Sequence, residues 1–167
     1  MRMTTLGSIV LALLAAGLGC GRQSEKATSQ APAPDNSPFA PGRRYDDLEA
    51  RVQYSGAWFH DHQFPQSSGQ SLTYSDKNGA QFRIAFTGSA ITYVFTQAAN
   101  RGIAEVKIDG QPRDRINQYS SQTVWQAKQR FEGLTPGTHT LEVGVSGEKD
   151  PQAAGKFVDL DAFEVEP

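Results

Sequence analysis

The sequence predicts an all-β domain, an antiparallel β-sandwich of jelly-roll type, on three observations. Thr140-Leu-Glu-Val-Gly-Val145 alternates strictly, with Leu141, Val143 and Val145 on one face, the pattern of a strand half in a core and half in water. Such runs are separated by turn dipeptides, among them Asp109-Gly110 and Pro136-Gly137, where proline fixes φ and glycine accepts the positive φ of a tight turn. Between residues 45 and 166 no stretch of about 11 residues or more carries a clean helical period.

Taken in order, the first strand lies within Ala50–Ser55 and the second at Ser71–Tyr74, followed by a turn at Asp76-Lys-Asn-Gly79. Gln81–Phe86 places Phe82, Ile84 and Phe86 on one face, and Ile91–Thr96 does the same with Ile91, Tyr93 and Phe95; with Gly88-Ser89 between them, the two read as a hairpin. Ile103–Ile108 ends in Asp109-Gly110, a strong hairpin signal. Arg115–Tyr119, Thr123–Phe131, Thr140–Val145 and Phe157–Val165 complete a set of about eight or nine short strands, the spacing of a sandwich.

The start of the chain is not read as part of this fold. Residues 6–18 form an apolar run, too short for a spanning helix of roughly 20 residues but suited to a signal-peptide core. Small residues precede Cys20, the only cysteine, so residues 1–19 resemble a bacterial lipoprotein signal with Cys20 as the lipidated residue. Gly17 stands where that pattern usually has leucine. A lone cysteine has no disulfide partner in an oxidising compartment, which fits lipidation. Residues 20–44 are rich in Ser, Gln, Ala and Pro and read as a flexible tether, leaving residues 45–167 as the domain. The expected location is the cell envelope, anchored to the membrane through Cys20. A formal charge of −2 gives no electrostatic case for nucleic acid.

Asp46-Asp47, Tyr54-Ser-Gly-Ala-Trp58, Asn78–Gly88, Val106-Lys-Ile-Asp-Gly110, Gly133–Leu141 and Asp159-Leu-Asp-Ala-Phe163, in that order and spacing, resemble the galactose-binding-like jelly rolls. That resemblance covers essentially the whole domain. It implies the fold, and the setting of carbohydrate-binding modules and accessory domains of exported proteins. The fold alone does not assign a ligand, because it also hosts lipid binders, adhesins and spacers. In the family a turn histidine with a structural role sits where His139 falls. Related jelly rolls also often hold a structural calcium near the chain ends, which Asp46, Asp47, Asp159 and Asp161 could serve. The alternative, preferred here, is that Asp161 accepts backbone N–H groups or pairs with an arginine.

Two clusters are candidates for binding. Trp58-Phe-His-Asp-His-Gln-Phe64, the densest cluster of functional side chains, could present Trp58 or Phe59 to a sugar, with His60, Asp61 and His62 bonding hydroxyls. Alternatively, Trp58 is a core aromatic, or His60 and His62 form half of a zinc or copper site. Asn117, Gln118 and Tyr119 combine amides with an aromatic platform, while Trp125 beyond them reads as inward-facing from its alternation with Ala127, Gln129 and Phe131. The sequence has no Gly-x-Ser-x-Gly, His-Glu-x-x-His or phosphate loop, so the reading is non-enzymatic, with no metal and no cofactor. The expected ligand is a glycan or another extracellular ligand; the alternative is a structural or protein-interaction domain of the envelope. A sugar binder should gather exposed aromatics on one concave face, where a spacer should bury them.

Overall fold

The computed structural model describes residues 35–167. The expected signal segment, Cys20 and most of the expected tether lie outside the described residues. Every named strand pair is antiparallel, and no α-helix occurs among the described residues. The strands are β1 (Arg43–Asp46), β2 (Gln53–Ser55), β3 (Phe59–Asp61), β4 (Leu72–Ser75), β5 (Gln81–Gly88), β6 (Ala90–Gln97), β7 (Ile103–Ile108), β8 (Gln111–Asn117), β9 (Val124–Phe131), β10 (Gly137–Val145), β11 (Val158–Leu160) and β12 (Ala162–Glu166). They form a sheet of order β1-β12-β6-β9, a second of order β2-β5-β10-β7-β8, and a small third of order β11-β4-β3. The all-β sandwich expected from the alternation is the fold observed.

Phe82, Ile84 and Phe86 of β5 and Leu141, Val143 and Val145 of β10 are fully or almost fully buried. They meet Ile91, Tyr93 and Phe95 of β6 and Phe163 and Val165 of β12 in one core. Each such side chain contributes roughly 1.5–3 kcal/mol by leaving water. The Asp109-Gly110 turn joins β7 to β8 as expected, with positive φ at both residues. β5 and β6, by contrast, are not a hairpin. β5 pairs with β2 and β10, whereas β6 pairs with β12 and β9, so the chain changes sheets at Gly88-Ser89. A side chain at Gly88 would run into the Glu166 carbonyl, so glycine is what lets this corner close. The pattern of both strands suits either arrangement, and the choice is made by partners distant in sequence.

The packed chain also reaches back past the boundary expected at Tyr45. Phe39 is fully buried, stands edge-on to Phe163 at 4.8 Å, and exchanges backbone hydrogen bonds with Ala85 (2.8 Å) and Thr87 (2.9 Å). At the other end, the single last strand expected over Phe157–Val165 is divided at Asp161, with β11 in the small sheet and β12 in the first.

Candidate functional site

A cleft of about 320 Å³ opens where β4 and the ends of β6 and β9 meet the segment leading into β11. Phe64, Tyr74, Trp125 and Phe157 line it with half-buried rings, and Thr96, Asn100 and Arg101 add polar groups. The rings form a connected array: Trp125 to Phe64 at 5.8 Å, Phe64 to Tyr74 at 6.3 Å, and Tyr74 to Phe157 at 5.7 Å. Phe59, 52% exposed, extends it by stacking on Tyr74 at 5.6 Å.

Local geometry sets each ring. Between Phe95↔Ala127 and Gln97↔Val124 the β6–β9 register shifts, so Trp125 and Gln126 together oppose Thr96. That is a β-bulge, with Gln126 at φ 55°, and bulges re-aim side chains. Gln126 then donates to the Gln66 carbonyl (3.0 Å), tying the loop that carries Phe64 to the strand that carries Trp125. The same loop is fixed by Ser68 N–H donating to Asp161 Oδ1 (2.7 Å), so Asp161 does accept a backbone N–H. On the far wall, glycines allow two backbones to touch. A Cβ on Gly102 would lie 2.7 Å from the Lys156 Cα, and one on Gly155 would lie 2.7 Å from the Asn100 carbonyl oxygen. This approach sets Phe157 beside Arg101, with Gly102 N–H donating to the Phe157 carbonyl at 2.9 Å.

Beneath the rings runs a buried polar network. Arg101 Nε donates to Asp159 Oδ2 (2.6 Å), Arg101 Nη1 donates to Asn100 Oδ1 (3.0 Å), and Thr96 N–H donates to Asp159 Oδ1 (2.8 Å). Asp159 thus has the arginine partner weighed for its neighbour Asp161. Tyr93 donates its hydroxyl hydrogen to the Asp159 carbonyl, and Gln118 Nε2 donates to the Tyr93 hydroxyl (2.9 Å). Burial holds the Asp159 carboxyl above the usual carboxylate range, against the pull of Arg101. Both its oxygens nevertheless accept N–H bonds, which is the geometry of an ionised carboxylate.

The residues singled out in the sequence fall elsewhere. Trp58 packs against Tyr54 (5.3 Å) and Phe82 (5.8 Å) and donates its indole N–H to the Ser55 carbonyl (2.9 Å), so it is a core-flanking aromatic. His60 Nδ1 bonds the Thr73 hydroxyl (2.8 Å), and Asp61 accepts from Gln63 N–H (3.1 Å) in a local turn. His60 and His62 border grooves lined with the turn after β1, where Leu48, Glu49 and Ala50 lie. Gln118 is fully buried, which removes it as a direct ligand contact. Asn117 and Tyr119 are tied to a neighbouring loop, Asn117 Nδ2 to Asp150 (3.0 Å) and the Tyr119 hydroxyl to Gln152 (3.1 Å). Their segment backs the cleft rim, since Ala98 N–H donates to the Gln118 carbonyl (3.2 Å). Trp125, read as inward, does share the half-buried face of β9 with Ala127 and Gln129, but at the bulged end of the strand that face lines the cleft. Phe64 ends the aromatic and histidine run that begins at Trp58, but Tyr74 and Phe157 lie in ordinary strand sequence; rings spread from residue 64 to residue 157 carry no local signal.

His139 Nδ1 lies 2.7 Å from the Asp109 carboxylate and Nε2 lies 2.6 Å from the Thr135 carbonyl oxygen, and these two acceptors raise its pKa. It is a turn-holding group, far in sequence from His60 and His62. Near the start of β4, Asp47 accepts from Ser71 (2.6 Å) and Thr73 (2.7 Å), and burial pushes its carboxyl up to about 7. Asp161 is likewise pushed up to about 6 by burial, and its Oδ2 has no partner among the described residues. Among the described residues no group of three or more His, Cys, Asp and Glu side chains is arranged to hold a metal ion.

No protein-family model matches the chain. Two curated proteins of Flavonifractor plautii match part of it. An A type blood N-acetyl-alpha-D-galactosamine deacetylase is 31% identical over 98 residues, 59% of this chain, and an A type blood alpha-D-galactosamine galactosaminidase is 28% identical over 100 residues, 60% of this chain. The matches span only 13% and 9% of those proteins. Among solved structures, a Paenibacillus xanthan lyase superposes with a TM-score of 0.57 at 14% identity, covering 78% of this chain and 14% of that one. A two-domain esterase active on acetylated mannans gives 0.56 at 15% identity, covering 74% of this chain and 36% of that one. The β-sandwich recurs as a minor part of much larger enzymes.

Proposed function

We propose that this chain is a non-catalytic carbohydrate-binding domain whose ligand sits in the aromatic cleft. The carrying observation is the array Phe64, Tyr74, Trp125 and Phe157, half-exposed around one concavity with polar groups at its base. A sugar ring has an apolar face of C–H bonds and a rim of hydroxyls, and it is complementary to such a surface. Partial homology to two enzymes named for blood-group amino sugars supports the same reading. The burial of Thr73 favours a non-enzymatic role: imidazole, hydroxyl and carboxylate meet at His60, Thr73 and Asp47, but the hydroxyl is fully buried and out of a substrate's reach. In this proposal Cys20 carries lipid and the following residues hold the domain off the envelope surface. A Cys20→Ser variant should then leave the membrane fraction for the soluble one; equal fractionation would refute the anchor.

The binding test is calorimetry of the full chain against a broad panel of oligo- and polysaccharides. A shallow cleft should give dissociation constants on the order of 10 µM to 1 mM, about −7 to −4 kcal/mol. No heat across the panel would rule the reading out.

A further inference from the structure

Two polar side chains at the base of the cleft, Arg101 and Asn100, have N–H donors to spare; of the hydroxyls beside them, Thr96 is buried and Thr123 is exposed at the rim. Arg101 uses Nε and Nη1 on Asp159 and Asn100, and its Nη2 makes no hydrogen bond among the described residues. Because Asn100 Oδ1 accepts from Arg101, the Asn100 amide presents its NH₂ outward from that bond, and this group too has no partner among the described residues. The positive charge is meanwhile matched locally, since Asp159 lies 2.6 Å from the guanidinium and both side chains are buried. The cleft therefore offers N–H donors with no net charge, inside a ring of aromatic carbons.

A ligand group suited to this must accept hydrogen bonds, carry no charge, and have an apolar part. A sugar hydroxyl meets only the first two conditions. A uronate carboxylate would add a second negative charge beside Asp159, and a free amino sugar would bring its ammonium against Arg101; both arrangements cost free energy in a partly desolvated site. An acetyl group meets all three, with a carbonyl oxygen for the donors and a methyl for the rings.

We propose that the cleft is selective for acetylated amino sugars, the acetamido carbonyl on Arg101 and Asn100 and its methyl among Phe64 and Trp125. This rests on the glycan-binding reading above. It further implies that the domain distinguishes an acetylated sugar chain from its deacetylated product, and so follows substrate and not product where a deacetylase acts.

The test is a nuclear magnetic resonance titration of the full chain at about pH 7, where an amino sugar is largely cationic. The probes are N-acetylgalactosamine, galactose, galactosamine and galacturonate, with N-acetylglucosamine against glucose alongside. An acetamido sugar should bind about tenfold or more tighter than its parent sugar in at least one series. Galactosamine and galacturonate should bind no tighter than galactose. Asn100→Ala should bring the acetamido sugar down towards its parent in a chain that still unfolds cooperatively, its midpoint lowered modestly by the lost Arg101 Nη1 bond while the parent sugar's affinity holds. Equal affinity for acetamido and parent sugars in both series, or tightest binding by galactosamine or galacturonate, would overturn the selectivity and leave the glycan reading standing. Silence from every monosaccharide would also overturn it, and the oligosaccharide panel then decides separately whether the parent reading falls.

Discussion

Trp58 and Trp125, the only two tryptophans in the sequence, differ in how much of each ring face the fold leaves uncovered. Trp58 stands in the densest run of functional side chains, yet its indole N–H is satisfied by Ser55 and its ring rests on Tyr54 and Phe82. Trp125 stands in an alternating strand that reads as core-facing, yet it lines the cleft beside Phe64. An aromatic is available to a ligand when the fold leaves part of its face unpacked, whatever polar residues lie next to it in sequence. Trp58 is covered by Tyr54 and Phe82, whereas Trp125 stands at the bulged end of β9, beside the cleft.

The largest expected effect lies beneath the cleft. Arg101→Met would leave Asp159 buried and unpaired and should cost about 3–5 kcal/mol of stability, so any loss of binding in that variant reports unfolding. Trp58→Ala should follow, lowering stability by about 2–4 kcal/mol in denaturant unfolding, somewhat below the cost for a fully buried tryptophan because Trp58 is half-buried. Its glycan affinity, measured where it remains folded, should not change. Trp125→Ala should do the reverse, weakening binding about tenfold to a hundredfold, or roughly 1.4–2.8 kcal/mol, with little shift in the midpoint. If the two variants exchange these effects, the cleft is not the site.

What could be read from the sequence, and what could not, follows the same division. Alternation in β5, β7 and β10 and the Asp109-Gly110 turn are local signals, and they gave the sandwich and most of its core. The corner at Gly88-Ser89, the bulge at Trp125-Gln126 and the inward turn of Gln118 onto Tyr93 depend on partners many residues away. Phe39 was hidden by its Pro- and Ser-rich neighbours, although a large apolar residue there was itself a hint. The cleft was hard to foresee because its rings come from four separate segments.

A smaller effect separates the two regions by pH. Asp47, on the Trp58 side, has its folded pKa raised by burial to about 7 from the ordinary carboxylate range, so it binds a proton more readily folded than unfolded. Its contribution is full below the unfolded value and is lost as pH rises through the folded one, and Asp161, raised to about 6, acts in the same direction. His139, also raised, adds stability that is lost above its own folded pKa. Glu164 and Glu166, held low by Lys128 and Arg130, act oppositely and only in more acid solution. The midpoint should therefore fall between about pH 5 and pH 8, and Asp47→Asn should flatten the lower part of that fall. A midpoint that rises over this range would contradict the assignment.

The most direct test of the central claim uses the two indole N–H resonances. Adding a glycan that binds should shift the Trp125 resonance in a saturable way and leave the Trp58 resonance, bonded to Ser55, where it is. A shift confined to Trp58, or saturable binding that moves neither, would place the ligand outside the aromatic cleft and contradict the account.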